Sequence, residues 1–390
     1  MKYSNKKLIL TAGPSITSLE KKFVYDAVSN GWNNDWNNYL LKLENSFKKF
    51  FKVRYALPTS SCTGGMHLIL AALGVGKGDE VIVPDITWVA TASVVKYLGA
   101  KPVFVDVDKE TWTMCVKSLS MKITKKTKVI MPVHIYGHPC KMDEIMKIAN
   151  KNKIHVVEDA APAIGATFKN KLVGTFGIAS AFSFQGAKLV VAGEGGIILT
   201  SNSNLFNKIK QLAAHGRTLK KNKNTFWIEK IGYKYSMSNV QAALCLAQFT
   251  RIKELISKKR KIFDWYSHYL KDLKSIKLNK EVYPAKSIYW MTTIFIKDSK
   301  KRVTAYKLAK ELKKKLIDSR PVFPSISTYP MWKSKNNFYS KEFSKYSLNL
   351  PSGHNLNRQK IKYISECLKK LLSKNSVSYT HLTLPTNREV

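Results

Sequence analysis

Arginine is scarce in this chain: only 8 of its 66 basic residues are Arg, and the other 58 are Lys. Against them stand 26 acidic residues, which leaves a formal net charge of +40. A nucleic-acid surface concentrates its charge, often as Arg, beside exposed aromatics. Here the lysines are spread along the whole chain among Asn and Ile, the pattern of a solvated surface drifting in composition. No specific nucleic-acid partner is expected, although polyanions should adhere non-specifically at low salt. Cysteine is sparse too. The five (Cys62, Cys115, Cys140, Cys245, Cys367) are an odd number with no CxxC or Cys/His ligand spacing. That argues against structural zinc and for free thiols in a reducing cytoplasm. Long apolar runs are missing as well. The N-terminal one is only Leu8-Ile9-Leu10, so neither a signal peptide nor a membrane span is read from the chain.

What is present is a large globular composition: 390 residues, 44% hydrophobic and 11% aromatic, enough for two or three structural units. Short apolar runs alternate with helical patterns over the first 200 or so residues, a βαβ signature. Residues 80–84, 102–107, 128–133 and 154–159 read as buried parallel strands, because their Val and Ile are near-continuous rather than alternating. Residues 64–73, 89–98, 142–150 and 204–213 read as helices. A long helix is expected from Ser238 to Leu270. Then the pattern changes: 289–296 is strand-like, while 305–316 and 361–372 are helical. The expectation is an α/β protein, with a mostly parallel sheet and flanking helices in residues 1–250. A smaller α+β unit follows in 251–375. Residues 376–390, "SVSYTHLTLPTNREV", hold no lysine in a chain that is about one-seventh lysine. They resemble translated adapter read-through and are expected to be disordered.

In open α/β sheets, ligands bind beyond the carboxyl ends of the strands. Four features fall there. "TSSCTGGMHL" sets hydroxyls and glycines before an apolar helix, whose N-terminus suits a phosphate. Ordinary capping by Ser61 or Thr63 reads equally from the same residues. Asp159 ends a strand, where a carboxylate can hold a heterocyclic nitrogen protonated or simply cap a helix. Trp88 follows another strand end, and can stack on a flat ring or pack in the core. In "SFQGAKLVVAGEGG", Ser183 follows a strand-like run, Lys188 comes five residues later, and glycines allow a tight turn. A desolvated lysine can lose its proton and form a Schiff base. In this order the four describe a pocket for pyridoxal phosphate.

The blocks "SSCTGGMHL", "GDEVIVPDITWVATASVV", "VVEDAAPAIGA", "AFSFQGAKLVVAGEGG" and "GYKYSMSNVQAALCLAQ" resemble the DegT/DnrJ/EryC1/StrS sugar aminotransferases, fold-type I pyridoxal-phosphate enzymes. The resemblance covers about residues 8–372. It implies that Lys188 is the Schiff-base lysine and Asp159 the partner of the pyridine nitrogen. It makes Ser183 a phosphate ligand and Thr63 with Gly64 the phosphate-binding turn, with Cys62 beside them. Trp88 falls where an aromatic stacks on the ring. Two departures stand out. Pro162 replaces a side chain that would touch the cofactor, and Lys234 replaces an Asn that reaches a phosphate across a dimer interface. Related dehydratases carry His in place of the lysine, so Lys188 favours transamination.

The blocks "DKETWTM" and "VHIYGHPCKMDEI" look most like GDP-perosamine synthases. That implies an amino group passed from an amino acid, glutamate, to a nucleotide-linked 4-keto-6-deoxy sugar, GDP-4-keto-6-deoxy-mannose, for surface polysaccharide synthesis. Arg217 and Arg320 are candidates to attract its diphosphate, or plain surface charge. His215 and His354 read as structural rather than catalytic. The resemblance also implies a homodimer with shared sites, and "NGWNNDWNNYL" (residues 30–40) suits either that interface or a pocket cover. The rival functions are a sugar dehydratase and a non-enzymatic polyanion binder.

Overall fold

In the computed structural model of the chain, residues 7–217, 227–228, 230–297, 303–332 and 337–377 are described. Residues 55–200 build one sheet from β1 (Tyr55–Thr59), β2 (Glu80–Pro84), β3 (Lys101–Val105), β4 (Thr127–Ile130), β5 (His155–Asp159), β6 (Ala179–Ser183) and β7 (Gly196–Thr200). Their spatial order is β1-β7-β6-β5-β4-β2-β3. Five neighbours, β6 through β3, run parallel, whereas β7 is antiparallel to both β1 and β6. Val81, Ile82, Val83, Val129, Ile130 and Val157 are fully buried, as their unbroken apolar runs require of strands covered on both faces. Helices Cys62–Ala72, Ala90–Tyr97, Met142–Lys151 and Ser203–Ala213 begin and end within two residues of the spans read from the sequence.

The chain departs from its expected course at Arg251. Instead of one helix over 238–270 there are two, Asn239–Thr250 and Ile252–Leu270, with Arg251 (φ −96°, ψ 13°) at the join. No glycine or proline marks the break; its cause is tertiary. The Arg251 guanidinium donates to Ser15 Oγ (2.8 Å) and to Glu20 Oε1 (2.6 Å), which tethers the join to the N-terminal arm. The Thr250 hydroxyl donates back to the Ala247 carbonyl at 2.7 Å, a bond that bends helices. Glu20 belongs to helix Ser18–Asn30, which Thr17 and Glu20 close as a reciprocal capping box.

A four-stranded antiparallel sheet lies in the C-terminal part, in the order Ile276–Leu278, Thr292–Ile296, Ser347–Leu350, Arg320–Pro321. Ile262, Tyr266, Ile294, Leu312, Leu348, Ile361 and Leu368 form its core. The mostly parallel sheet, its helices and this smaller sheet are the fold class expected. The last helix, Arg358–Val377, runs two residues into the segment set apart as a tail, since "SKNSV" contains no helix breaker. The rest of that tail, 378–390, lies outside the described residues.

Just past β2, the fully buried Asp85 fastens the C-terminal part to the large sheet. It accepts hydrogen bonds from Ser325 Oγ (2.6 Å), Ser327 N (2.7 Å), Ser327 Oγ (2.8 Å) and Asn337 Nδ2 (3.1 Å). This is where the two sheets meet beside the strand ends. Among the described residues no helix is long and apolar enough to cross a membrane, and no group of three metal-binding side chains occurs.

The Arg251 knot yields a prediction. Burial would raise the Glu20 carboxyl, but hydrogen bonds from Thr17 and Arg251 hold it down at about 2. A depressed carboxyl stabilises the fold above its ordinary value and loses that contribution as pH falls through its folded value. Glu20→Gln should therefore cost about 3 kcal/mol in urea unfolding at pH 7. The deficit should shrink as pH is lowered from 4.5 towards 2. A constant deficit across that range would refute the assignment.

Candidate active site

Asp159 is the last residue of β5, so its side chain emerges where the parallel strands end. It is 4% exposed. Oδ2 accepts the Thr91 hydroxyl at 2.7 Å and Oδ1 accepts the Ala161 N–H at 3.1 Å. Burial pushes the carboxyl up from its ordinary range, against these two bonds and the attraction of Lys188. Thr91 sits in the first turn of helix Ala90–Tyr97, and its hydroxyl also reaches the Trp88 carbonyl (3.3 Å). The segment after β2 thus positions the acid at the end of β5.

Lys188 stands in the loop between β6 and β7, a loop folded back on itself. Phe184 N–H donates to Gly195 O (2.9 Å), Gly186 N–H to Gly193 O (2.9 Å) and Lys188 N–H to Gln185 O (2.8 Å). Gly195 has φ 140°, and a Cβ there would meet Met237 Cε at 2.5 Å, so this turn is closed to other residues. The Lys188 side chain reaches inward. Burial pushes its amine below the usual lysine range, while Asp159 and Cys62 pull it back up. The same three groups act on one another at the Cys62 thiol, which burial raises well above its ordinary value. Nζ of Lys188 lies 4.1 Å from the centroid of the Trp290 ring.

The third element is the start of helix Cys62–Ala72. Ser61, rather than Thr63, is its cap: Ser61 Oγ accepts the Gly64 N–H at 3.0 Å. The N–H groups of Cys62 and Thr63, the first two helical residues, have no acceptor within the helix. A Cβ on Gly196 would come within 2.5 Å of Cys62 N, so only glycine lets β7 begin beneath this helix start. Gly64 faces the Tyr235 ring, 3.0 Å from where its Cβ would be. Ser183, at the end of β6, is buried, and its hydroxyl accepts the Gln185 N–H at 3.4 Å.

Six of the residues singled out in sequence therefore gather here: Asp159 and Ser183 on adjoining strand ends, Cys62, Thr63 and Gly64 at one helix start, and Lys188 in the loop after β6. Trp88 is different: it is 61% exposed and tilts against Phe323, with ring centroids 5.8 Å apart. Lys234 is exposed, with its backbone bridged to Ala214. Pro162 is buried. His215 is exposed, and Arg320 lies 3.8 Å from Asp318 with most of its side chain in solvent. Arg217 pairs with Ile228 through its backbone. His354 packs against Leu255 O (3.4 Å) and Gly13 O (3.1 Å), and burial next to Lys259 holds it down at about 4. It is a neutral structural histidine. Trp32 and Trp36 face solvent around the short turn Asn33–Asp35.

Two residues at the site were not read from the sequence. Thr91 left a trace, since it lies one helical turn beyond Trp88. Trp290 left none, because only the fold brings the strand-like "YWMTTIFI" to Lys188. Behind Asp159, His134 and Glu158 form a fully buried pair at 3.1 Å. His134 Nδ1 accepts the Cys140 N–H (3.1 Å), so the ring proton sits on Nε2 and is given to Glu158. Glu158 also accepts the N–H groups of Gly174, Phe176 and Gly177, which fixes the strand that presents Asp159.

The chain as a whole is similar to known proteins. Residues 14–369 match the DegT/DnrJ/EryC1/StrS aminotransferase family. The chain is 38% identical over 369 residues to a GDP-perosamine synthase of Escherichia coli O157:H7, covering 94% of this chain and 99% of the relative. Its fold superposes on Spr1654 of Streptococcus pneumoniae in its PLP form, with a TM-score of 0.87 at 26% identity over 94% and 99% of the chains. It also superposes on the GDP-4-keto-6-deoxy-D-mannose-3-dehydratase of E. coli with bound hydrated PLP, with a TM-score of 0.85 at 25% identity over 93% and 100%.

The Thr91–Asp159 bond is testable without any ligand. A buried carboxyl whose folded value is raised weakens the fold as pH rises from its ordinary value through the folded one. Thr91→Val removes a donor to the ionised form, so it should cost about 1–3 kcal/mol at pH 7. At pH 4, where more of Asp159 is protonated, the cost in urea unfolding should be smaller. An equal cost at both pH values would mean that Thr91 does not serve the carboxylate.

Proposed function

The chain belongs to the DegT/DnrJ/EryC1/StrS aminotransferase family of pyridoxal-phosphate-dependent sugar aminotransferases, and on that premise we propose that it moves the amino group of L-glutamate to the C4 ketone of GDP-4-keto-6-deoxy-mannose. The observation that carries the reading is the mutual effect of Lys188 and Asp159, one amine and one acid brought to the same strand ends. The choice of GDP-sugar is supported by the 38% identical GDP-perosamine synthase. The 4-keto-6-deoxy-mannose dehydratase fold is the second reading. Lys188 stands against it, because that group carries histidine at the corresponding place.

The residues present suit the cofactor. Asp159 is a buried acid without a cationic hydrogen-bond partner among the described contacts, so a protonated ring nitrogen would satisfy it. The N–H groups of Cys62 and Thr63, which have no acceptor within their helix, with the Ser183 hydroxyl, suit a phosphate. Gly64 keeps that helix start clear of a side chain, and the exposed Trp88 ring has a face free to cover a flat molecule. When bound, pyridoxal phosphate supplies an electron sink for the carbanion left when a substrate C–H is deprotonated. The chain's own work is simpler to state. Lys188 would hold the group through its aldehyde, and its amine, once free, would carry the proton taken from the donor's α-carbon. Burial lowers the basicity of that amine, which favours the neutral form that the proton transfer needs. Asp159 would hold the ring nitrogen and keep it protonated.

A homodimer belongs to the same proposal. Exposed Trp32, Trp36, Trp227 and Ile231 give a second copy apolar surface to cover. Lys234, turned outward, would then offer its charge to the neighbour's phosphate. A cytoplasmic setting is supported by the five unpaired cysteines.

Two measurements test this. Borohydride reduction of the purified protein should fix the cofactor on Lys188, as read by peptide mass. Lys188→Ala should remain folded, lose the trapped adduct, and drop at least about 10³-fold in turnover. A variant that keeps its rate would end the proposal. Offered a panel of nucleotide-linked ketosugars and glutamate, the parent should release an amino sugar from GDP-4-keto-6-deoxy-mannose. A deoxygenated ketosugar without amine would instead establish the dehydratase reading.

A further inference from the structure

Trp290 is 6% exposed and is held at both ends. Its indole N–H donates to the carbonyl of Ala187, the residue before Lys188, at 2.7 Å. Its own carbonyl accepts the Nζ of Lys259 at 3.0 Å. Lys259 is itself 3% exposed, and it spends its second hydrogen bond on Ser352 O at 2.5 Å. Neighbouring rings hold the indole plane. Tyr136 lies nearly parallel to it, with centroids 6.1 Å apart and an interplanar angle of 18°, and Phe323 lies 5.7 Å beyond Tyr136. The face left over is turned to Lys188, whose Nζ lies 4.1 Å from the ring centroid.

So one side chain does two things to the same lysine. Its edge grips the backbone at the preceding residue, and its face lies under the amine. An indole face attracts a cation, and more strongly where water is excluded. It therefore favours the protonated form of the nitrogen at Nζ. We infer that Trp290 is a positioning residue for Lys188, setting both the location of its nitrogen and the ease with which that nitrogen gives up a proton. This rests on the proposed reaction, since it assumes that Lys188 carries the cofactor.

The groups facing that nitrogen can be named. Asp159 and Cys62 act on it from the ends of β5 and β1's following helix, and both favour its charged form. Trp290 faces it from the C-terminal segment, and Lys259 lies behind the indole on helix Ile252–Leu270. Burial opposes them all, pushing the amine down. Removing the ring takes away one of three groups that keep the proton in place.

The test uses the holoenzyme and reads absorbance, not turnover. The visible band of the lysine-bound cofactor is titrated against pH in the parent, in Trp290→Leu and in Trp290→Phe. Trp290→Leu removes the aromatic face, so the apparent pKa should fall by about one unit. Trp290→Phe retains a face but loses the N–H to Ala187, so the cofactor's dissociation constant should rise about fivefold to tenfold, as for one lost hydrogen bond. If Trp290→Leu folds and titrates like the parent, the inference is overturned. If it does not fold, Trp290→Phe decides: an unchanged dissociation constant overturns the inference. If borohydride fails to fix the cofactor on Lys188 in the parent, it is the proposed function that falls, a result separate from either of these.

Discussion

A buried acid and a partly buried amine act on each other here, and each is pushed by its surroundings towards neutrality while each favours the other's charge. Everything at the strand ends depends on that balance. Asp159 is placed by β5 and steadied by Thr91 and by the backbone N–H of Ala161. Lys188 is placed by a closed loop and a tryptophan. Were either more exposed, water would level the difference, and the amine would return to the basicity of the other lysines. What sets Lys188 apart from a surface lysine is not its charge but the cost of keeping that charge indoors, beside an acid that opposes its loss.

The scaffold serves this pair at several removes. Glu158 gathers three backbone N–H groups and the His134 ring on the far side of the strand that ends in Asp159. Gly196 lets the helix start settle on β7 beside the same site. Lys259 has no carboxylate partner among its described contacts, yet it is buried and holds the carbonyl of the tryptophan beneath Lys188. Its amine is brought down to about 7 by burial alone. A buried charge on that side is expensive, and the lowered basicity of Lys259 is the sign of that cost.

Much of this was legible in the chain itself. Buried parallel strands announce themselves by unbroken Val and Ile, and the residues just past them were the candidates to examine. The order of hydroxyls, tryptophan, aspartate and lysine carried the cofactor. Three things were hidden, for physical reasons. The break at Arg251 follows from a guanidinium drawn to a distant arm, which periodicity cannot register. The part played by Trp290 depends on a contact between segments far apart in sequence. The strands β1 and β7 were overlooked because one contains a proline and the other emerges from a glycine turn.

The four hydrogen bonds that Asp85 accepts have a bearing on redesign. They bind the stretch that follows Phe323 to the strand end from which Trp88 projects, so those two rings keep their spacing only while the clasp is shut. A protein engineer seeking a new sugar preference would be drawn to that stretch, since Phe323 at its start touches the exposed Trp88 ring. Grafting a foreign sequence there without serines and an asparagine to meet the carboxylate would strand a charge in the interior, and the graft would be rejected by the fold before its selectivity could be assayed.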